Sequence, residues 1–167
     1  KVNEAPELVS QIRDVDVSAN DKFFLWHTWF ADVFNRPSKQ GFDIVIGNPP
    51  YIRVQNLEHC LIDLYKKTFK TAYKRLDIST LFIELMCDKL TKSGVLCYIS
   101  SNQFTSAEYG RLMRKFLIDN KYLKTVVDFA GLPVFDKAIT YVSIFTITKE
   151  NKTNFDYYRV PSLPFNR

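Results

Sequence analysis

Glycine is scarce in this chain of 167 residues: its five copies, Gly41, Gly47, Gly94, Gly110 and Gly131, stand far apart. No Gly-x-Gly loop opens a helix, so the usual cradle for a nucleotide-like cofactor is excluded from these residues. The three cysteines, Cys60, Cys87 and Cys97, form no Cys-x-x-Cys pair and leave an odd count. With two of them inside apolar segments, buried thiols in a reducing compartment fit better than disulfides. His27 is a lone histidine among aromatics, where packing is the ordinary role, and no metal site is expected. No apolar stretch is long enough to cross a membrane and no signal peptide is present, so the reading is an intracellular, cytoplasmic protein without a membrane partner. Repeats and low-complexity segments are absent as well.

What is present fits one domain with a real core. Net charge is +5 and the aromatic fraction, 15%, is high. The modest basic excess is compatible with a polyanionic partner. The most informative stretch is Phe42-Asp43-Ile44-Val45-Ile46-Gly47-Asn48-Pro49-Pro50-Tyr51. Its apolar run predicts a strand buried on both faces of a parallel sheet. Gly47 and two prolines then end the strand, because neither proline can donate a ladder hydrogen bond. The product is a short, stiff loop that carries the Asn48 amide and the Tyr51 ring. In open α/β sheets, ligands bind at such strand ends. By residue type alone, Asn-Pro-Pro also suits an ordinary turn.

The remaining chain reads as alternating helices and strands. Lys1 to Asn20 is a polar lead-in, and Lys22 to Asn35 is an aromatic segment in which Trp26, Trp29, Phe30 and Val33 suit one helix face. Arg36 to Gly41 is a turn. Leu61 to Leu76 predicts an amphipathic helix, with Lys66, Lys70 and Lys74 at four-residue steps and Lys67 and Arg75 nearby. That basic face suits a solvated surface, the commoner use, and equally a phosphate contact. Asp77 is a candidate N-cap for a helix that runs through Leu90 to Lys92-Ser93-Gly94. Val95 to Ile99 is a second strand, Thr105 to Glu108 a capping box before another helix, and Tyr122 to Phe129 a third strand. Ile139 to Thr148 is a fourth, and Phe155 to Val160 a further strand in the tail. Helices between the early strands imply right-handed crossovers and a mostly parallel sheet. The short link Gly131 to Ala138 makes the last main pair antiparallel. The expected organisation is a lead-in over residues 1–20, a domain over 21–150 and a tail over 151–167.

Asn-Pro-Pro-Tyr after a buried strand resembles the catalytic motif of adenine-N6 DNA methyltransferases of restriction–modification systems. The likeness is greatest to the large type II enzymes in which methylation and cleavage share one polypeptide. Further support comes from Leu76-Asp77 through Gly94-Val95, from Ser100-Ser101-Asn102-Gln103-Phe104, and from Phe135 to Thr140. The resemblance implies a partial Rossmann-like class I methyltransferase fold, α/β, mostly parallel with one late antiparallel strand. It implies S-adenosylmethionine as cofactor, with the main cofactor motif outside these residues, and double-stranded DNA as partner. Asn48 and Pro49 would accept hydrogen bonds from the target amine, with Pro50 stiffening the loop. Tyr51 and Phe135 would stack on a flipped base; by residue type alone Phe135 is a core phenylalanine. Asn48 and Asp77 would approach the cofactor, and Lys66, Lys67, Lys70, Lys74 and Arg75 the DNA. The glycine-rich motif and a target-recognition domain are missing from the chain, which lacks an initiator methionine; it reads as the C-terminal half of a catalytic domain. Methylation of RNA or of a protein glutamine uses the same loop chemistry, and a non-catalytic nucleic-acid-binding module shares the fold. A cysteine-nucleophile mechanism is disfavoured, since no cysteine follows a proline.

Overall fold

The computed structural model describes residues 24–53, 58–135 and 141–163. The predicted lead-in at 1–20, the first residues of the predicted fourth strand and Asp136 to Thr140 of the later motif lie outside them. Contacts divide the chain into two compact units, Lys1–Asn35 and Arg36–Arg167.

In the first unit the aromatic segment forms two short helices, α1 (Trp26–Trp29) and α2 (Ala31–Phe34), rather than one. Phe30 breaks them, with φ −121° and ψ 47°. The rings pack on each other: Phe24 stacks on Trp29 at 5.6 Å and Trp26 on Phe30 at 6.0 Å. His27 lies 5.0 Å from the Phe34 ring, which is a packing role. Among the described residues no cluster of His, Cys, Asp or Glu could hold a metal ion.

The second unit is built on a five-stranded sheet: β1 (Phe42–Gly47), β2 (Leu90–Ser101), β3 (Leu123–Asp128), β4 (Val142–Thr148) and β5 (Asp156–Arg159). Helices α3 (His59–Thr68) and α4 (Ile78–Lys89) connect β1 to β2, and α5 (Arg111–Asp119) connects β2 to β3. Strand order is β1-β2-β4-β3-β5. β1 runs parallel to β2 and β3 parallel to β5, while β4 is antiparallel to both its neighbours. The sheet is therefore parallel apart from β4, as expected of a class I methyltransferase fold, and β4 is inserted between β2 and β3.

The core lies along β2 and β4. Ile83, Leu96, Met113, Val142 and Ile147 are fully buried. Phe104 and Phe145 meet at 4.9 Å between ring centres. A satellite cluster of Leu76, Ile78 and Leu81 takes Ile62, Tyr65, Phe69 and Ala72 against it. Among the described residues no helix is long and apolar enough to cross a membrane.

Several local expectations are corrected. β1 is not buried on both faces: Ile44 and Ile46, which share one face, are 68% and 78% exposed, and the strand also stands at the edge of the sheet. The predicted helix to Leu76 stops at Thr68. The amides of Lys70 and Thr71 turn instead to the buried Glu84 carboxylate, at 3.0 and 2.9 Å. Lys74 then takes a positive φ of 49°, which no helix accommodates. The predicted capping box does not form. Thr105 Oγ1 donates to the Asn102 carbonyl at 2.6 Å, and Glu108 pairs with Lys74 at 3.2 Å. Two 3-10 turns, Gln103–Thr105 and Glu108–Gly110, occupy that stretch, and α5 starts at Arg111. Gly110 is required there, because a Cβ would overlap the Phe104 carbonyl. Helix α4 ends at Lys89, and β2 takes up Leu90 to Gly94 with a register shift opposite Phe42 to Ile44.

Candidate active site

The parallel strands deliver their carboxyl ends to one side of the sheet. Gly47 pairs with Tyr98, Ser101 with Val142, and Asp128 with Ser143. The loops that follow Gly47, Ser101 and Asp128 consequently share one rim. Between β1 and β3 lie three strand spacings, about 14 Å at about 4.8 Å each.

Asn48 stands at the end of β1, exposed, and nothing among the described residues bonds its side chain. Gly47 before it sits where a Cβ would come to 3.0 Å from the Tyr98 ring, so any larger residue would make that ring shift. Pro49 is buried and Pro50 exposed. Tyr51 is half-buried, and its hydroxyl donates to the Ile99 carbonyl at 3.3 Å. Burial, and then the nearby Asp77 charge, hold its phenol above the ordinary value. The ring is thus anchored at its hydroxyl end to the carboxyl end of β2.

The chain then crosses α4. Ile78 N–H donates to the Ile52 carbonyl at 3.0 Å, and the backbones of Arg53 and Asp77 form an isolated antiparallel bridge. Asp77 caps α4 as predicted, its Oδ1 accepting from the Ser79 amide at 2.9 Å and the Ser79 hydroxyl at 2.7 Å. It is 4% exposed, and this work as cap and brace is what the structure gives it. Arg53 donates to Gln103 Oε1 at 2.9 Å, joining the loop after β1 to the turn after β2. A pocket of about 180 Å³ opens between Arg53, Arg75, Asp77, Gln103 and Tyr109. Burial and then the Asp77 charge push the Tyr109 phenol up to about 12, with Arg53 acting against them.

Of the predicted DNA-facing cations, Lys66 and Lys67 lie on α3, and Lys70, Lys74 and Arg75 on the loop after it. They do not form one helical stripe, although all are exposed. Lys74 is bound to Glu108 and lies 5.2 Å over the Tyr73 ring. Phe135 is half-buried at the end of the loop that follows β3, on the same rim as Asn48 but on the far side of β2 and β4.

Two groups on this rim received no role from sequence reasoning. Asp128 closes β3 and gathers Asn102 Nδ2 at 2.9 Å, Ser143 Oγ at 3.0 Å, the Ala130 amide at 3.0 Å and Tyr157 Oη at 2.7 Å. Burial opposes its charge, but these donors prevail and hold the carboxyl below the ordinary value. Beside it an apolar cavity of about 270 Å³ lies between α5 and the sheet, lined by Leu117, Val126, Phe145 and Phe155 among others. The second group is Arg53 with Gln103. Its sequence signals were an arginine two residues beyond Tyr51 and the place of Gln103 in the stretch Ser100 to Phe104.

Residues 1–135 match the family described as "Eco57I restriction-modification methylase". Among curated relatives, the Escherichia coli type II restriction enzyme and methyltransferase RM.Eco57I is 38% identical over 122 residues, 71% of this chain and 12% of the relative. The type II methyltransferase M.BstVI of Geobacillus stearothermophilus is 37% identical over 111 residues, 66% of this chain and 20% of that protein. The chain thus spans at most a fifth of these two relatives. Among solved structures, a protein named as a putative class I S-adenosylmethionine-dependent methyltransferase from Listeria monocytogenes aligns with a TM-score of 0.58 at 17% identity, over 75% of this chain and 38% of that one. The type IIL restriction-modification enzyme MmeI in complex with DNA aligns with a TM-score of 0.57 at 16% identity, over 71% of this chain and 17% of that one. These two likenesses concern the fold.

Proposed function

The chain belongs to the Eco57I restriction-modification methylase family, and on that premise we propose that it forms the acceptor side of an adenine-N6 DNA methyltransferase in a restriction–modification protein. The observation that carries this reading is the free Asn48 amide, presented by a proline-stiffened loop at the carboxyl end of a parallel strand.

Adenine N6 is a poor nucleophile because its lone pair is delocalised into the ring. Asn48 Oδ1 and the Pro49 carbonyl, aimed at the two amino hydrogens, would favour a pyramidal nitrogen and offset the positive charge that grows during transfer. Asn48 is not a base, and none is needed before attack, since the proton can leave afterwards. The amino group is out of reach inside a duplex, so the base must be flipped at a cost of a few kcal/mol. Stacking on an aromatic ring returns about 1–3 kcal/mol. Tyr51, held by its hydroxyl, is the near platform, and Phe135, reached by the loop after β3, is the proposed second ring.

S-adenosylmethionine, when bound, supplies the electrophilic methyl group. The residues present fit only its reactive end: Asn48 stands open beside the uncovered edge of β1, where Ile44 and Ile46 are exposed. In this reading Asp77 serves by bracing the loop, and a further part of the protein covers β1 and holds the rest of the cofactor. Lys66, Lys67 and Lys70 face the DNA backbone, in the cytoplasm where the DNA lies.

The test is methyl transfer by the intact protein from labelled S-adenosylmethionine to duplex DNA, with Asn48→Ala alongside. The expected product is N6-methyladenine, falling about a hundredfold or more in the variant, by analogy with loss of one group of an oxyanion hole. Label in RNA or protein instead would change the acceptor, and an active Asn48→Ala protein would remove the proposed chemistry.

A further inference from the structure

Three separate chain segments converge beside the motif loop. Arg53 comes from that loop, Arg75 from the loop before α4, and Gln103 with Tyr109 from the turns after β2. Their arrangement is held from below. The Arg53 side chain is braced by Gln103 and its backbone by an antiparallel bridge to the Asp77 backbone, and the stretch that carries Arg75 is tied down by Glu84 through the Lys70 and Thr71 amides. Arg75 has no partner among the described residues and is exposed. Two guanidinium groups set around one hollow, one of them without a partner among the described residues, repel each other, and an anion between them would offset that repulsion.

We propose that the pocket between Arg53, Arg75, Gln103 and Tyr109 is a phosphodiester site, which grips the DNA strand next to the flipped nucleotide. This rests on the DNA-methylation reading above and assigns to it residues that the motif itself does not contain. Arginine suits the task, because its planar fork matches a phosphate with two parallel hydrogen bonds. Tyr109 remains protonated through the physiological range and so keeps a hydroxyl to donate. Asp77 also lines the pocket, but its carboxylate is taken up by Ser79, and two guanidiniums against one carboxylate leave the lining cationic. Just outside, Arg111 lies 4.7 Å over the Tyr73 ring and adds to the positive field. The spacing also fits. In an extended chain, Arg53 follows Tyr51 by about 7 Å. A base stacked on Tyr51 therefore has its own sugar-phosphate within reach of Arg53.

The measurement is DNA binding by the intact protein as a function of salt, for wild type, Arg53→Ala, Arg75→Ala and Arg75→Lys, with methyl transfer recorded in parallel. Each alanine variant is expected to lower the slope of log affinity against log salt by about 1, and to weaken binding about tenfold at fixed salt. Arg75→Lys retains the slope, and the KM for S-adenosylmethionine does not move. Arg75 is exposed and unbonded, so its loss leaves folding intact. Unchanged slopes in a protein that still makes N6-methyladenine overturn the pocket and leave the methylation reading standing. A protein that binds no DNA overturns both. If inorganic phosphate raises the melting temperature of wild type and not of Arg75→Ala while the DNA slopes stay unchanged, the pocket serves a free anion and the proposal falls.

Discussion

The Tyr157 hydroxyl donates to Asp128 Oδ2 across 2.7 Å, tying the last strand of the sheet to the end of β3. Three further donors, from Asn102, Ser143 and Ala130, converge on the other oxygen of the same carboxylate. Asp128 thereby links β2, β3, β4 and β5 at the rim where the site lies.

A carboxyl held below its ordinary value stabilises the fold above the unfolded value of about 3.9 and loses that contribution as pH falls through the folded value. Acid should therefore act on wild type through Asp128. Asp128→Ala strands four donors, and the expected cost at pH 7 is about 1–3 kcal/mol. The gap in melting temperature between wild type and Asp128→Ala should narrow below about pH 4. A gap that stays constant down to pH 2 would remove Asp128 as the acid-sensitive group.

Asp77→Ala removes the side-chain cap of α4 and leaves its backbone bridge to Arg53 in place. Loss of such a cap costs about 1 kcal/mol, with a range of about 0.5–2. Asp77→Ser should recover most of it, because a hydroxyl can also accept from the Ser79 amide. Urea denaturation of the two variants checks this; equal losses would mean that the charge, and not the cap, matters.

Phe145 is 1% exposed and packs on Phe104 at the middle of the sheet. Phe145→Ala should cost about 3–5 kcal/mol, enough to unfold a marginal domain, whereas Phe145→Leu should cost far less. Chemical denaturation midpoints distinguish the two.

The thiols should react in a fixed order. Burial pushes Cys87 up to about 12, with Lys149 opposing and Asp88 and Glu84 adding to the rise, while Cys60 is exposed. Alkylation at pH 8 should label Cys60 quickly and Cys87 only after unfolding. Peptide mapping before and after denaturant reads the order directly, and early labelling of Cys87 would refute the burial.

The elements of regular structure were legible where local pattern decides them. The strand ending at Gly47, the cap at Asp77, the stripe of α4 and the antiparallel return of β4 all followed from apolar spacing, a capping residue or a short link. Reading failed where a distant group took over the backbone. The periodicity through Phe69, Ala72 and Leu76 is real, and those residues are buried or half-buried on the expected cluster. Yet the chain reaches them as a loop, because Glu84 competes for the amides of Lys70 and Thr71. The capping-box pattern at Thr105 was likewise outbid by Lys74, which no window of sequence connects to Glu108.

By itself, then, the sequence determined the chemistry of the loop: an amide, two prolines and a tyrosine at a strand end are consecutive residues, and their stiffness is local. Tertiary structure alone decided that β4 enters between β2 and β3, that β1 stands at an edge, and that Arg53, Arg75, Gln103 and Tyr109 surround one pocket. Those relations depend on which strands pair and in what register, and that is set by the summed burial of residues far apart in the chain.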